Sequence, residues 1–189
     1  MGETALWHPF SDMAVVRDNE VVLSKGEGIW LWDEDGKRYI DAAASLWYAQ
    51  VGHGRQEIAD AVAEQMKELE AYSCFAELAT PPAKELAQML SDRAPMDGAK
   101  AFLVTGGGEA IDTAAKLGRL YWDHQGQSDR IHIVSREHGY HGAHGFGTSI
   151  GGMPATRAGF GPLITDTSQV AYDSVDALER RISEIGADN

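Results

Sequence analysis

The chain has 189 residues, of which 43% are hydrophobic, so it can bury a core. Its formal net charge of −13 argues against nucleic acid or an anionic membrane as a partner. A single cysteine, Cys74, excludes an intrachain disulfide and is typical of a reducing compartment. The sequence has no membrane-length apolar run and no signal-peptide pattern, so we expect a cytoplasmic protein.

Residues 1–56 are predicted to form an N-terminal arm, short antiparallel strands and a loop. Short β-type runs occupy residues 21–23, 28–32 and 38–41. The dipeptide Asp35-Gly36 predicts a hairpin with a primed turn between the last two runs. The following stretch, residues 42–55, has neither a helical nor a strand period. Its Leu46 and Trp47 either pack in the interior or line a pocket.

Residues 57–189 are predicted to be the first part of an α/β domain with a parallel sheet. Apolar residues at helical spacing predict helices at 57–70, from Pro81 to about residue 92, after Gly108, and after Ser174. Their predicted inward residues are Ile58, Val62, Met66, Leu69, Leu86, Met89, Leu90, Leu178, Ile182 and Ile185. Strands are predicted at residues 101–105, 131–135 and 169–172, alternating with helices as in doubly wound folds.

Gly106, Gly107 and Gly108 lie between a predicted buried strand and a helix. A glycine turn at a helix N-terminus is an anion site, most often for phosphate, because unpaired N–H groups and the helix dipole point there. A tight strand–helix connection without a ligand is the alternative. Known nucleotide motifs do not fit, since Ile111 occupies the third glycine position of G-x-G-x-x-G and Glu109 follows Gly108 where Walker A requires lysine.

The segment 137–154 is rich in glycine and contains His138, His141 and His144. This spacing could bring three imidazoles together for zinc, but hydrogen-bonded histidines are the preferred interpretation, and no metal is predicted. Tyr140 either stacks on a planar ligand or packs as a core residue. No G-x-S-x-G elbow supports serine catalysis, and no lysine lies in an apolar setting that would lower its pKa.

Six motifs occur in an order that resembles the class III aminotransferases. They are LWHPF (6–10), GIWLWDEDGKRYIDAAASLW (28–47), VGHGR (51–55), TGGGEAIDTAAKLGRLYWDHQG (105–126), GYHG (139–142) and SIGGM (149–153). The family consists of pyridoxal 5′-phosphate (PLP) enzymes of fold type I, and the chain is most similar to its omega-transaminases. The resemblance implies an α/β fold: part of the parallel-sheet large domain, preceded by an N-terminal β-hairpin and helix segment.

The resemblance also implies roles for individual residues. Gly106, Gly107 and Gly108 fall on the family's small-residue turn, commonly Ser-Gly-Ser, whose N–H groups hold the cofactor phosphate. Tyr140 would stack on the pyridine ring and His141 would support its loop. The residues that match the substrate pocket are Leu46, Trp47 and Phe75, the last in a segment that reaches the pocket from a dimer partner.

No lysine of this chain matches the family's Schiff-base lysine, which lies in the later half of the large domain. We therefore expect an N-terminal portion of a homodimeric transaminase, inactive alone, and we assign no catalytic residue. The parent protein would move an amino group from an amine or omega-amino acid to a keto acid such as pyruvate. A non-catalytic fragment with weak phosphate binding is the second hypothesis, and a nucleotide-binding oxidoreductase is the third.

Overall fold

The computed structural model describes residues 4–188, and the chain divides into two compact units that meet in sequence between Leu78 and Ala79. The predicted domain boundary at residue 56 lies earlier than this division, because the helix Gln56–Glu68 belongs to the first unit. The roles predicted for residues 1–56 and 57–189 remain predictions.

The first unit contains a three-stranded antiparallel sheet preceded by a short helix. Its elements in chain order are α1 (Met13–Asn19), β1 (Leu23–Glu27), β2 (Trp30–Asp33), β3 (Arg38–Ile40), α2 (Ala44–Trp47) and α3 (Gln56–Glu68). The strand order β1-β2-β3 follows the chain. The helix α1 was not predicted from the sequence, because seven residues are too few to show a clear period. Its N-terminus is capped by Asp12, whose carboxylate accepts a hydrogen bond from the N–H of Ala14 at 2.9 Å.

The predicted hairpin between β2 and β3 is confirmed, but its turn differs. Gly36 has a φ of +78° and donates its N–H to the carbonyl of Asp33 at 3.1 Å. Asp35 does not have a positive φ, as a type I′ turn would require. The loop is instead a three-residue connection closed by a left-handed glycine, in which the N–H of Asp33 also donates to the carbonyl of Lys37 at 3.1 Å.

The second unit combines helices with a two-stranded parallel sheet. Its elements are α4 (Pro81–Arg93), α5 (Gly107–His124), β4 (Ile133–Arg136), α6 (Gly145–Ile150), β5 (Thr167–Val170) and α7 (Val175–Ile185). In the sheet Ile133 lies opposite Thr167 and Arg136 opposite Val170. The helix α7 is capped by Ser174, whose hydroxyl accepts from the N–H of Ala177 at 3.1 Å. This arrangement confirms the predicted α/β class and parallel pairing.

The prediction of a buried strand at residues 101–105 is wrong for this structure. The segment is irregular, and Phe102 and Leu103 are 69% and 45% exposed. A strand is stabilised by its ladder of hydrogen bonds, and no described strand lies alongside this apolar run to provide one. Apolar composition alone therefore does not produce a strand here.

The helical periods predict the helices correctly but not their burial. The residues predicted to point inward on α3, α4 and α7 are exposed, from 38% for Leu178 to 60% for Met66, with Ile185 intermediate. Among the described residues, the buried large hydrophobic side chains are Ile150 and Val170, around the sheet of the second unit. No helix within residues 4–188 has both the length and the apolar character to cross a membrane.

Candidate functional site

The helix α5 begins with an open glycine turn. Its N-cap residue, Gly106, has extended backbone (φ −163°, ψ 161°) and no side chain with which to cap the helix. A Cβ placed on Gly106 or Gly107 would have no other atom within 4 Å. The first N–H groups of a helix have no intrahelical acceptor, so those of Gly107, Gly108 and Glu109 are donors for an external anion. The turn therefore has both the donors and the space that a phosphate group requires.

Glu109 folds back onto Thr105, the residue that precedes the glycine turn. Its carboxylate accepts hydrogen bonds from the Thr105 N–H at 3.0 Å and from the Thr105 hydroxyl. The Thr105 hydroxyl, then its N–H and the nearby His144, hold the pKa of Glu109 below its ordinary value, although burial opposes them. The N–H and the hydroxyl of Thr105 thus both donate to Glu109. The donors that the turn offers to a ligand are therefore its backbone N–H groups. This contact was not predicted from the sequence, although an acid at the third helical position is its expected signal.

The glycine-rich loop packs directly on the glycine turn. A Cβ placed on Gly142 would lie 2.6 Å from the Cα of Gly108, and Gly142 has a φ of +99°. A Cβ on Gly108 would lie 3.3 Å from Nδ1 of His144. The two backbones can approach this closely only because Gly142 has no side chain, since a Cβ on Gly108 would lie an ordinary 3.6 Å from the Cα of Gly142. The structure thereby brings together the glycine turn and the GYHG loop, which belong to two separate motifs of the sequence.

Asp112 ties the same loop to α5 one turn further along. Its carboxylate accepts the N–H of Gly147 at 2.8 Å and that of Phe146 at 3.2 Å, which caps the N-terminus of α6. Buried Ser149 continues the connection, because its hydroxyl donates to the carbonyl of Gly145 at 2.6 Å and accepts from the N–H of Ile164 at 3.0 Å. The loop is therefore fixed at both ends.

A cavity of about 700 Å³ lies along the whole of β4 and reaches the residues that follow β4 and β5, with Ile111 and Ile150 also in its lining. Glu137 and His138 of this lining directly follow β4, and ligands of open α/β sheets bind outside the carboxyl ends of the strands. His141 lines the cavity together with His138, Gly139 and Tyr172. Tyr140 is 57% exposed and is not one of the cavity's lining residues, and neither is any residue of the glycine turn. The predicted cofactor residues thus share one region of the second unit without all facing one cavity.

The three histidines of the loop have separate surroundings. The ring of His138 makes an edge contact with Tyr172, with centroids 5.4 Å apart. His141 approaches Gly139, and His144 approaches Gly108. Within residues 4–188 no group of three or more histidine, cysteine, aspartate or glutamate side chains is placed to hold a metal ion.

The predicted substrate residues all lie in the first unit and are exposed. Leu46 and Trp47 are 70% and 78% exposed, and Phe75 is 79% exposed. Leu46 and Trp47 belong to α2, which is one left-handed turn: φ is +47° at Ala44, +50° at Ser45, +60° at Leu46 and +86° at Trp47. Each non-glycine residue in this conformation costs about 1–2 kcal/mol, so the turn is strained.

A buried aspartate holds this left-handed turn. The Oδ2 atom of Asp41 accepts the N–H of Ser45 at 2.8 Å and contacts Nε2 of His53 at 2.7 Å. The Asp41 side chain is 7% exposed and that of His53 is 19% exposed. The hydrogen bond from His53, helped by the N–H of Ser45, holds the pKa of Asp41 below its ordinary value, although burial opposes the shift. This pair was not predicted from the sequence, although its two members lie in two of the motifs that carry the family resemblance.

Comparison with known proteins shows the family. A sequence model described as "Aminotransferase class-III" matches residues 13–187, which is nearly the whole chain. The chain belongs to the class III aminotransferase family.

Two curated relatives of this class III chain are aminotransferases that act with pyruvate. Putrescine–pyruvate aminotransferase of Pseudomonas aeruginosa is 38% identical over 148 residues, covering 78% of this chain and 32% of the relative. β-Alanine–pyruvate aminotransferase of the same organism is 34% identical over 160 residues, covering 85% of this chain and 36% of the relative. The chain thus spans about a third of the length of these relatives.

Solved transaminases have the same fold as this class III chain. An (S)-enantioselective omega-transaminase from Thermomicrobium roseum is 35% identical with a TM-score of 0.90, covering 96% of this chain and 44% of that one. A PLP-bound amine transaminase from an uncultivated Pseudomonas species is 31% identical with a TM-score of 0.91, covering 99% and 47%. The predicted fold type I architecture and the omega-transaminase resemblance are confirmed.

Proposed function

We propose that this chain carries the phosphate- and ring-binding part of a PLP-dependent aminotransferase. The observation that supports the proposal most strongly is the contact between Gly108 and Gly142, which joins the glycine turn to the GYHG loop. The open turn of α5 offers a phosphate site, and the loop brings an aromatic residue, Tyr140, into the same unit. Family membership favours PLP as the ligand that combines a phosphate with a planar ring.

The phosphate would be held by the N–H groups of Gly107, Gly108 and Glu109. The chain fits this group, because the space beside Gly106 and Gly107 is open and the helix dipole favours an anion. Hydroxyl donors are lacking in the turn, since Gly106 and Gly108 replace the serines common in the family and Thr105 bonds Glu109. Each absent neutral hydrogen bond weakens binding by about 0.5–1.5 kcal/mol.

The ring of the cofactor would stack on Tyr140, and His141 would support the loop from the cavity side. When bound, PLP withdraws electrons from the carbon that carries the amino group, while the protein orients cofactor and substrate. Leu46, Trp47 and Phe75 would line the substrate side. Their high exposure supports this role, because they are not used to build the core of the first unit.

The substrates proposed for the parent protein are an amine or omega-amino acid as donor and a keto acid such as pyruvate as acceptor. The pyruvate-dependent relatives support this choice. We further propose a cytoplasmic homodimer, which would cover part of the apolar surface that the chain leaves exposed. Neither nucleic acid nor a membrane is proposed as a partner, given the net charge of −13.

A non-catalytic role for the 189 residues alone is the second candidate. The chain has six lysines, and none of them lines the 700 Å³ cavity beside β4. Lys25 and Lys37 of the first unit lie over the rings of Trp32 and Tyr39. We therefore assign the cofactor-attaching lysine to none of these residues and expect no transamination by the isolated chain.

A binding titration tests the proposal. The chain is titrated with PLP by following the absorbance of the ring, with inorganic phosphate as competitor. We expect saturable binding that phosphate weakens, that Tyr140→Ala weakens further and that Tyr140→Phe preserves. Borohydride reduction followed by peptide mapping then locates any attached lysine. Binding that is insensitive to both phosphate and Tyr140→Ala would overturn the proposed site.

A further inference from the structure

The left-handed turn α2 displays two apolar side chains instead of burying them. Leu46 and Trp47 have positive φ values of +60° and +86° and remain 70% and 78% exposed. Within the first unit no burial of these side chains offsets the backbone strain. Strain that persists without local burial has to be imposed by neighbouring contacts, and such sites are often functional.

The contact that holds the turn in its left-handed conformation is made by the carboxylate of Asp41. A single oxygen, Oδ2, receives the Ser45 N–H at 2.8 Å and contacts Nε2 of His53 at 2.7 Å, while the Ser45 hydroxyl lies at 3.4 Å. An ionised carboxylate only accepts hydrogen bonds, so Nε2 of His53 carries the hydrogen that is donated to it. Asp41 precedes the turn and His53 follows it, so this bond clamps the segment between them.

The position of His53 is itself fixed by the hairpin. Its N–H and carbonyl pair with the carbonyl and N–H of Gly28 at 2.8 and 2.9 Å. A Cβ on Gly26 would lie 2.8 Å from both Cβ and Cγ of His53, and one on Gly52 would lie 2.9 Å from the carbonyl oxygen of Gly28. Two glycines therefore allow His53 to pack flat against β1 and to reach Asp41.

We propose that Asp41 and His53 are positioning residues, which hold the left-handed turn so that Leu46 and Trp47 are presented to the amine substrate. This inference rests on the proposed function only in naming the amine as the ligand. These contacts form a series that leads from the backbone of β1 through His53 and Asp41 to the Ser45 N–H. All of these residues lie within the first unit. Neither residue is assigned a contact with the reacting atoms.

Nuclear magnetic resonance of the isotope-labelled chain tests the positioning directly. The readouts are hydrogen exchange at the Ser45 amide and the indole N–H resonance of Trp47. Asp41→Ala and His53→Ala should each accelerate Ser45 exchange by about tenfold or more, because a charge-assisted hydrogen bond is lost. Both variants should also shift the Trp47 indole signal. His53→Gln places an amide N–H near the former Nε2 position and should restore both readouts.

Gly26→Ala provides an independent variant, because it leaves Asp41 and His53 chemically intact. The added methyl group should displace the His53 ring and reproduce the effect of His53→Ala on Ser45 exchange. Amides of the β2–β3 ladder serve as the folding control in every variant. If Ser45 exchange in Asp41→Ala equals that of the unaltered chain while this ladder stays protected, the positioning role is overturned.

Kinetics of the parent transaminase, carrying the same substitutions, distinguish this inference from the proposed function. His53→Ala should raise the KM for the amine about tenfold with a smaller change in kcat, as Trp47→Ala should, and His53→Gln should recover most of the loss. If the parent protein shows no amine-dependent turnover at all, the proposed function fails while the exchange result still decides the positioning role. If KM is unchanged in both alanine variants, the turn does not serve the amine.

Discussion

Gly108 and Gly142 are in backbone contact, so the N-terminus of α5 and the GYHG loop form one structural piece. A Cβ on Gly142 would approach the Cα of Gly108 to 2.6 Å, closer than any carbon atoms can pack. The contact depends on neither a charge nor a side chain. It explains why a glycine is needed at position 142, and it makes the junction sensitive to a single methyl group there.

Gly142→Ala should therefore destabilise the second unit by about 2–4 kcal/mol, from left-handed strain together with the clash against Gly108. Urea unfolding at constant pH measures the change. Gly98→Ala is the matched control, because Gly98 also has a positive φ (+67°) but nothing within 4 Å of its Cβ position. That control should lose only about 1 kcal/mol. Equal losses in the two variants would show that the contact with Gly108 contributes nothing.

Gly106→Ser should tighten PLP binding by about 2- to 10-fold, because one neutral hydroxyl donor is returned to the turn. The extended backbone of Gly106 accepts any residue, and the space beside it is open. Gly106→Ala is the control, since it adds the Cβ without the hydroxyl. A gain in the alanine variant equal to that in the serine variant would assign the effect to chain stiffening and not to the phosphate contact.

The sequence predicted the connection between the glycine turn and a helix because that signal is local. Triple glycine followed by apolar residues at helical spacing places the start of α5 correctly, and Asp33 to Gly36 marks the hairpin. Family resemblance supplied Tyr140 and Trp47, but the residue periods did not. The predictions that failed depend on contacts between distant parts of the chain. Residues 101–105 lack a pairing strand, and the apolar side of α3 is exposed. The Asp41–His53 pair also escaped, because 12 residues and a left-handed turn separate its members.

The stability of the first unit should depend on pH through Asp33 and Tyr39, whose side chains share a 2.7 Å hydrogen bond. The Tyr39 hydroxyl is the main reason that the pKa of Asp33 lies below its ordinary 3.8, and Asp33 raises the pKa of Tyr39 above 10.0. A carboxyl group whose pKa is lower in the folded state stabilises that state at pH values above its unfolded pKa. The contribution of Asp33 is therefore lost as the pH falls through its folded pKa. The Tyr39 contribution is present below pH 10 and is lost as pH rises through its raised pKa.

Tyr39→Phe should lower the free energy of unfolding near neutral pH. It should also reduce the loss of stability that this pair causes at acid pH and at alkaline pH. The measurement is urea unfolding of the first unit between acid and alkaline pH, followed by the fluorescence of Trp30 and Trp32 in the same sheet. Tyr72→Phe is the control, because the Tyr72 side chain is 63% exposed. A profile for Tyr39→Phe that is parallel to that of the unaltered chain at every pH would contradict the assignment.

Asp112 should link the stability of the second unit to cofactor binding. Its carboxylate accepts the N–H groups of Phe146 and Gly147, so Asp112→Ala leaves the N-terminus of α6 without these acceptors. The expected loss is about 1.5–3 kcal/mol in urea unfolding, as for hydrogen bonds to a charged group. Asp112→Asn keeps one carbonyl acceptor and should lose about half as much. The glycine loop that reaches Gly108 precedes α6 directly, so both variants should also weaken PLP binding in the same order. A lowered free energy of unfolding with unchanged PLP affinity would contradict this link. It would show that the loop keeps its place without α6 and that the contact between Gly108 and Gly142 alone fixes it.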